Sequence, residues 1–263
     1  MSIIIGLQGA SGRTGNLVIK CLKDFPDFKL GSAIVAPNCP TLGTVCLAAA
    51  ENHGQEIQFT SNAEQGVKDS QVFIDFSTPE SALKLASLCA RKHIPLLIAT
   101  TGFNAEQENM LRNFPKDCAI LLSANFSLGV FALQELSLLA QKILGSTYEV
   151  ELFELHHKHK KDAPSGTALR TGALLEKAGD LHGLLRTSEE RQANELGYAS
   201  LRGGDVAGEH TVYFLGQGER IELTHRANDR SIFARGALQA ARILVKKAPG
   251  FYSMKDIYGG SGE

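Results

Sequence analysis

The first 123 residues alternate short apolar runs with segments of helical periodicity. The run Ser2–Leu7 predicts a short buried strand, and the apolar side chains of Gly15–Lys23 fall on one face of a predicted helix. Further strands are predicted at Lys29–Ala36, Gln71–Phe76, Ile94–Ala99 and Ala119–Ser123, and further helices at Pro79–Lys92 and Ala105–Asn113. Strands that alternate with helices and are apolar throughout predict a parallel sheet covered by helices on both faces.

The pattern changes after Asn125. An amphipathic helix is predicted at Phe131–Leu144, followed by a strand with partial alternation at Tyr148–His156. A hairpin is predicted at His210–Leu215 with Arg220–His225, and a last, Ala-rich helix at Ser231–Lys247. Gly216-Gln217-Gly218 separates the two strands of the hairpin, as a tight antiparallel connection requires. The second half therefore predicts an α+β unit.

Charge and composition exclude several classes of protein. The chain has 263 residues, with 27 Lys and Arg against 28 Asp and Glu, so its formal net charge is −1. This does not fit a protein that binds nucleic acid through a basic surface. No apolar run approaches the ~18 residues that a transmembrane helix needs. The run Ile3–Ile5 lacks the basic lead-in of a signal peptide. We therefore expect no membrane partner.

The cysteines point to a compartment rather than to a site. There are five of them, an odd number, and none forms a C-x-x-C pair. This usage predicts free thiols in a reducing cytoplasm, not a disulfide framework or a zinc site.

A glycine-rich turn lies between the first predicted strand and the first predicted helix. Gly9, Gly12 and Gly15 allow the backbone to turn tightly and to approach a pyrophosphate, and Arg13 adds a possible charged hydrogen bond. A plain strand–helix turn is the alternative. The acidic residue that usually binds the adenosine ribose is absent, because strand two ends at Val35-Ala36-Pro37 and no Asp or Glu lies between Asp27 and Glu51. The choice between NADH and NADPH therefore stays open.

Two more loops follow strands of the same predicted sheet, at Ala99–Phe103 and Ser123–Ser127. Ligands bind at the carboxyl ends of parallel strands, and small polar residues suit a nicotinamide and its ribose. Each loop taken alone also fits a simple connection.

The densest polar cluster is His156–Lys161, where three of the eight histidines lie within four positions. It can be read as a solvated basic strand end or, since adjacent histidines can be ligands, as a metal site. The metal interpretation lacks supporting cysteines or spaced carboxylates, and we predict no metal.

A helix start follows this cluster at Pro164–Leu169, with Asp162 or Ser165 as the candidate cap. Backbone N–H groups at Ser165, Gly166 and Thr167, together with Lys160, favour a carboxylate-binding site beside groups that can transfer protons. With the glycine turn, this predicts a nicotinamide-dependent reductase of a carboxylate substrate.

The stretch Glu154–Ala168 resembles the signature of the 4-hydroxy-tetrahydrodipicolinate reductase (dihydrodipicolinate reductase) family, E-x-H-H-x-x-K-x-D-x-P-S-G-T-A. The resemblance covers essentially the whole chain. It also includes Gly9–Gly15, Asp75-Phe76-Ser77, Thr100–Phe103, Asn125–Gly129, Arg202-Gly203-Gly204, Gly208-Glu209-His210 and Arg230.

The resemblance implies roles for individual residues. Pyrophosphate contacts are expected from Gly9, Ala10, Ser11, Gly12, Arg13 and Thr14. The nicotinamide end is expected at Ala99, Thr100, Thr101, Ser123, Ala124, Asn125 and Phe126, with Arg230 near the cofactor. His156 matches the proton donor or acceptor and Lys160 the proton donor. The substrate contacts are expected from His157, Lys160, Ser165, Gly166 and Thr167. The absence of an acidic residue at Val35 permits use of either NADH or NADPH.

The implied reaction is NAD(P)H-dependent reduction of 4-hydroxy-tetrahydrodipicolinate to tetrahydrodipicolinate with loss of water, on the diaminopimelate route to lysine. The implied fold is α/β, with a Rossmann-like cofactor domain at 1–127 plus 230–263 and an inserted α+β substrate-binding domain at 128–229. The family also implies a homotetramer formed through the sheet of the second domain. Two alternatives remain: another nicotinamide-dependent reductase, such as an amino-acid dehydrogenase, and a non-catalytic NAD(P) sensor. The first has no need of the His/Lys signature, and the second would be expected to lose His156 and Lys160.

Overall fold

The computed structural model describes residues 2–46, 56–68, 70–114, 116–186 and 190–259. The chain forms two compact units, Met1–Ser127 with Ser231–Glu263, and Leu128–Arg230. We call them the first unit and the second unit. These boundaries differ from those drawn from the sequence at one residue, Arg230, which lies in the second unit.

The elements within the described residues are numbered in chain order. The strands are β1 Ile3–Gln8, β2 Phe28–Ile34, β3 Phe59–Thr60, β4 Val72–Asp75, β5 Leu96–Ile98, β6 Ala119–Leu122, β7 Glu149–His156, β8 His182–Leu185, β9 Glu195–Arg202, β10 Gly208–Leu215, β11 Arg220–Ala227 and β12 Gly250–Tyr252. The helices are α1 Arg13–Cys21, α2 Ala63–Lys68, α3 Pro79–Lys92, α4 Ala105–Leu111, α5 Leu128–Leu144, α6 Gly166–Gly179, α7 Ser231–Leu244 and α8 Met254–Tyr258.

The first unit is built on a seven-stranded sheet in the order β12-β6-β5-β4-β1-β2-β3. Every pair of neighbouring strands is parallel, which confirms the predicted parallel sheet. The strands are apolar because helices cover the sheet, and side chains such as Leu7, Phe73 and Leu97 are fully buried. The carboxyl ends of β1, β4 and β5 therefore meet at one edge of the sheet, where the predicted cofactor loops begin.

The second unit is built on a mixed sheet in the order β11-β10-β7-β9-β8. The predicted hairpin β10–β11 is antiparallel, β10 also pairs antiparallel with β7, and β9 runs parallel to β7 and β8. The core contains Leu133 from α5, Leu175 from α6 and Val150 and Leu152 from β7. Since side chains alternate along a strand, Glu154 and His156 continue the buried row of Val150 and Leu152.

Helix α5 has an unusual distribution of side chains. Its buried face includes Ser137 and Gln141, whereas Leu136, Leu139 and Ile143 are 52%, 53% and 71% exposed. The segment Leu128–Thr147 is also long and apolar enough to cross a membrane by length and composition. Helices of soluble proteins meet the same criterion, so this property alone does not indicate a membrane.

Candidate active site

The glycine-rich turn of the first unit joins β1 to α1. Gly9 has a φ of +75°, and a Cβ atom there would lie 2.2 Å from the carbonyl oxygen of Phe76. A Cβ atom at Gly15 would lie 2.2 Å from the carbonyl oxygen of Gly9. The turn can therefore adopt this tight form only with glycine at both positions. Gly12 begins α1 without a side-chain cap, and the first turn of α1 carries no acidic residue.

This arrangement fits a dinucleotide pyrophosphate. The N-terminal N–H groups of a helix attract an anion, and here no side chain of the helix satisfies them first. Of the predicted contacts, Ala10 is fully buried while Gly12 and Arg13 are exposed. The Ser11 hydroxyl lies 3.2 Å from the Cys39 thiol, and this hydrogen bond is the main cause that lowers the pKa of Cys39.

A buried carboxylate joins the strand ends of the first unit. Asp75 is fully buried at the end of β4 and accepts hydrogen bonds from Gln8 Nε2 at 2.9 Å, Ser77 Oγ at 2.5 Å and Thr100 Oγ1 at 2.6 Å. Burial raises the pKa of Asp75, and these three hydrogen bonds oppose that shift. The sequence pattern alone assigns no role to Asp75, although a carboxylate at the end of an apolar strand is a signal. It ties the ends of β1, β4 and β5 together, and so holds the loop that begins at Ala99.

The other predicted nicotinamide contacts follow β5 and β6, which are neighbours in the sheet. Ser123 Oγ donates to the carbonyl oxygen of Asn125 at 2.8 Å, and Asn125 Oδ1 accepts from the N–H of Ser127 at 2.9 Å. Thr101 is exposed, whereas Phe126 is only 1% exposed. The Phe126 side chain is therefore part of the core. The predicted cofactor contact of Phe126 would have to come from its backbone.

In the second unit, the end of β7 carries a buried carboxylate–histidine pair. Glu154 is 1% exposed and His156 8% exposed, and the Glu154 carboxylate contacts His156 Nδ1. Its other oxygen, Oε1, accepts a hydrogen bond from an Arg202 Nη atom at 2.7 Å. The ring of His156 meets that of His210 edge to face, with centroids 5.1 Å apart. His210 Nε2 lies 3.0 Å from Ser165 Oγ, which also caps α6 by accepting the N–H of Ala168.

The charges in this cluster follow from burial and partners. Burial opposes ionisation of Glu154, but hydrogen bonds from Arg202 and His156 outweigh it and lower the pKa of Glu154. Burial lowers the pKa of His156; Glu154 opposes this shift, while Lys160 and Arg202 reinforce it. Burial, with a contribution from His156, lowers the pKa of His210 to about 4. Near pH 7 the cluster therefore holds an anionic Glu154 and two neutral imidazoles.

Lys160 and Asp162 form the outer part of the cluster. Lys160 Nζ lies 2.8 Å and 2.9 Å from the two carboxylate oxygens of Asp162. The Lys160 hydrogen bond and the backbone N–H of Gly166 contribute to the lowered pKa of Asp162, the former most strongly. Ser165 is thus the side-chain cap of α6, as one of the two predicted alternatives had it. Lys160, one of the donors predicted to bind a substrate carboxylate, already binds a carboxylate of the chain.

The remaining predicted residues take separate positions. His157 and His159 lie outside the buried row, and their ring centroids are 6.4 Å apart. Thr167 lies in the first turn of α6. Arg230 is an exposed residue between β11 and α7. Its predicted contact with the cofactor stays a prediction.

Glu154, His156 and His210 also offer one potential metal-ligand atom each, and these atoms lie within 4.8 Å of one another. From the sequence alone no carboxylate is expected to support the histidines, because the pairing of β7 with β10 is what places Glu154 beside His210. A cation would enter next to the guanidinium of Arg202, which already binds Glu154, and close to the positive charge of Lys160. Like charges at this distance disfavour a metal ion there.

A glycine turn at the edge of a parallel sheet, with a second unit that carries a carboxylate-binding cluster, defines a two-domain nicotinamide-dependent oxidoreductase. The family models described as dihydrodipicolinate reductase, N-terminus and dihydrodipicolinate reductase, C-terminus match residues 3–126 and 129–258. The chain therefore belongs to the dihydrodipicolinate reductase family.

Individual relatives agree with this membership. The chain is 38% identical to the 4-hydroxy-tetrahydrodipicolinate reductase of Hahella chejuensis over 97% of this chain and 98% of that protein. It is 39% identical to the protein of the same name from Nitrosospira multiformis, over 97% of each chain.

Two solved structures share the fold. One is the dipicolinate-bound dihydrodipicolinate reductase from Paenisporosarcina sp. TG-14, with a TM-score of 0.78 and 22% identity over 97% of this chain and 99% of that one. The other is the myo-inositol dehydrogenase from Lactobacillus casei in complex with NAD(H) and myo-inositol, with a TM-score of 0.62 and 12% identity over 98% of this chain and 91% of that one. At these identities the likeness concerns the fold alone.

Proposed function

We propose that this protein reduces 4-hydroxy-tetrahydrodipicolinate to tetrahydrodipicolinate with loss of water, on the diaminopimelate route to lysine. The observation that carries the proposal is the folded signature segment, in which Lys160 forms an ion pair with the Asp162 carboxylate just before the start of α6. The full-length relatives bear the name of this activity, and the solved neighbour binds dipicolinate, a dicarboxylate. The protein is accordingly an NAD(P)H-dependent oxidoreductase.

The cofactor is a nicotinamide dinucleotide, which supplies hydride when bound. The residues that fit its pyrophosphate are Gly9, Ala10, Ser11, Gly12, Arg13 and Thr14, because the tight turn and the uncapped start of α1 present backbone N–H groups. Ala99, Thr100, Thr101, Ser123, Ala124, Asn125 and the backbone of Phe126 would hold the nicotinamide end. We propose that both NADH and NADPH are accepted, since neither an acidic residue nor an arginine follows strand β2.

The second unit would bind the dicarboxylate and handle the proton. One substrate carboxylate would take the place of Asp162 at Lys160 and at the N–H groups of Gly166 and Thr167, with His157 beside it. After water is lost, hydride addition to the conjugated imine leaves negative charge that a proton must quench. The Lys160 ammonium is the proposed donor. His156 is neutral near pH 7 and would act through its imidazole rather than as a charged acid.

Assembly and location are also proposals. The face of the second-unit sheet opposite its core carries half-buried Phe153 and Leu155, next to Leu201, which is 55% exposed. Such a patch fits a contact between subunits, and we propose a cytoplasmic homotetramer formed through this sheet. Native mass spectrometry of the purified protein measures the state directly, and a monomer at micromolar concentration would contradict it.

The test of the reaction is oxidation of NADH and of NADPH, with the substrate generated in place by the preceding synthase. Oxidation that requires the synthase product supports the proposal, and the ratio of the two rates measures the cofactor preference. Protein that binds a cofactor but oxidises neither one would instead favour a sensor or a different carboxylate substrate.

A further inference from the structure

The His156 imidazole lies in a cluster of side chains that have no assigned part in the reaction. Glu154 comes from the same strand, Arg202 from β9 and His210 from β10. Strand register places them together. Glu154 stands directly opposite His210 between β7 and β10, and His156 stands beside Arg202 between β7 and β9.

Glu154 decides which nitrogen of His156 carries the proton. An ionised carboxylate can only accept hydrogen bonds, so the Nδ1 atom that contacts Glu154 must be the N–H donor. The lone pair of the neutral ring is then on Nε2. That atom faces Gly208, where an added Cβ would lie 2.9 Å from it. A side chain at position 208 would therefore crowd the acceptor atom, and glycine avoids that contact.

Arg202 links the Glu154–His156 pair to the loop that carries Lys160, the proposed proton donor. One of its Nη atoms donates to Glu154 Oε1 at 2.7 Å and to the carbonyl oxygen of Asp162 at 2.6 Å. The same guanidinium therefore neutralises the buried carboxylate and holds the backbone next to the Lys160–Asp162 ion pair. A carboxylate that is 1% exposed would be costly without such a partner.

We propose that Glu154 and Arg202 are positioning residues of the reaction: Glu154 holds His156 as its Nδ1–H tautomer with Nε2 as the acceptor, and Arg202 keeps Glu154 anionic and aligned with the loop that carries Lys160. This rests on the proposed function, in which His156 and Lys160 act on the substrate. The comparable principle is the carboxylate that orients a catalytic or metal-bound histidine.

The charged and titratable groups around His156 determine how the ring titrates. They are Glu154, Lys160, Arg202 and His210, with Asp162 paired to Lys160 and His225 acting on His210. Glu154 is the one anion in direct contact with the ring among these groups and raises the pKa of His156. Its replacement by glutamine should therefore lower the pKa of His156 further and redistribute the ring proton.

The first experiment uses the wild-type protein without any ligand. Nitrogen-15 NMR of its labelled histidines separates protonated from unprotonated ring nitrogens. At pH 7 we expect Nδ1 of His156 to be protonated and Nε2 unprotonated. An Nε2–H tautomer overturns the proposal, and this measurement does not depend on any variant folding or on any activity.

The second experiment compares Glu154→Gln and Glu154→Asp with Glu151→Gln. Glu151 lies on the opposite face of the same strand and is paired with Arg186 and Arg191, so it is a matched carboxylate that does not touch His156. We expect kcat of Glu154→Gln to fall about 10- to 100-fold, the range seen when a metal-bound histidine loses its orienting carboxylate partner. KM should change less, and the His156 titration should move to lower pH. Glu154→Asp should keep that titration near its wild-type position and recover part of kcat, and Glu151→Gln should leave both unchanged.

Two further results overturn the proposal. One is an unchanged His156 titration in folded Glu154→Gln with kcat within two-fold of wild type. The other is a zinc-induced shift of both the His156 and His210 signals that Glu154→Gln abolishes, since the three residues would then be metal ligands. A wild-type protein inactive toward 4-hydroxy-tetrahydrodipicolinate refutes the proposed function instead, while the tautomer measurement still decides the arrangement of Glu154 and His156.

Discussion

Ser165 joins the start of α6 to the buried histidines, and its replacement by alanine should destabilise the protein measurably. The hydroxyl caps the helix through the N–H of Ala168 at 3.2 Å and meets His210 Nε2 at 3.0 Å, while Ser165 itself is only 2% exposed. Loss of a helix cap costs about 1 kcal/mol. A buried polar group left without its partner costs about 1–3 kcal/mol more. Within the described residues Nδ1 of His210 has no hydrogen-bond partner, so loss of the Ser165 hydroxyl would leave neither ring nitrogen with one.

We therefore expect Ser165→Ala to lower the free energy of unfolding by about 2–4 kcal/mol. Urea denaturation followed by circular dichroism measures this, with Thr78→Ala as the control. Thr78 caps α3 in the same way, by accepting the N–H of Ser81, but no histidine contact is recorded for its hydroxyl. The difference between the two variants isolates the bond to His210. If Ser165→Ala costs no more than Thr78→Ala, the reasoning about His210 is refuted.

Three further predictions concern single residues. The folded-state pKa of His210 is about 4 against 6.5 for the free group, so the unfolded chain binds more protons between these values and stability should rise with pH from about 4 to 6.5. His210→Gln should remove up to about 3 kcal/mol of this pH-dependent change in the free energy of unfolding. Urea denaturation of the wild type and of the variant at pH 4.5 and pH 7 measures the change in each protein. An equal change in both proteins would contradict the prediction. Gly9→Ala should weaken cofactor binding at least ten-fold, because the methyl group would lie 2.2 Å from the Phe76 carbonyl oxygen and must displace the turn. Fluorescence titration with NADPH measures this, and wild-type affinity would mean that the turn does not contact the cofactor. Lys160→Ala should abolish turnover and leave cofactor affinity unchanged in the same titration, and wild-type turnover would refute Lys160 as the proton donor.

Much of the first unit could be predicted because its signals are local. Helix α3 begins and ends at the predicted residues, Pro79 and Lys92, since Thr78 caps it and His93 ends it in the left-handed conformation. The glycine turn falls between β1 and α1 as expected. The edge strands β3 and β12 were missed, because two or three residues carry too little pattern to be recognised.

The buried cluster of the second unit could be predicted only in part. The segment around His156, Lys160 and Ser165 is contiguous and was found. Arg202 lies 48 residues from Glu154 in the chain and reaches it because β9 pairs in parallel with β7. Strand β9 has no clear alternation of apolar and polar residues, so neither the strand nor its register was predicted. The partnership of His210 with Ser165 likewise depends on the pairing of β10 with β7.

The division of the first unit has a consequence for biosynthesis of the chain. Its last pieces, α7 and β12, come after the second unit in sequence, and β12 completes the sheet at the free edge of β6. On the ribosome, residues 128–230 form a continuous segment that can fold while the sheet of the first unit still lacks β12 and α7. A nascent chain stalled before Ser231 would expose the edge of β6 and the apolar sheet surface that α7 covers. Newly made protein therefore depends on α7 and β12 to leave an aggregation-prone state.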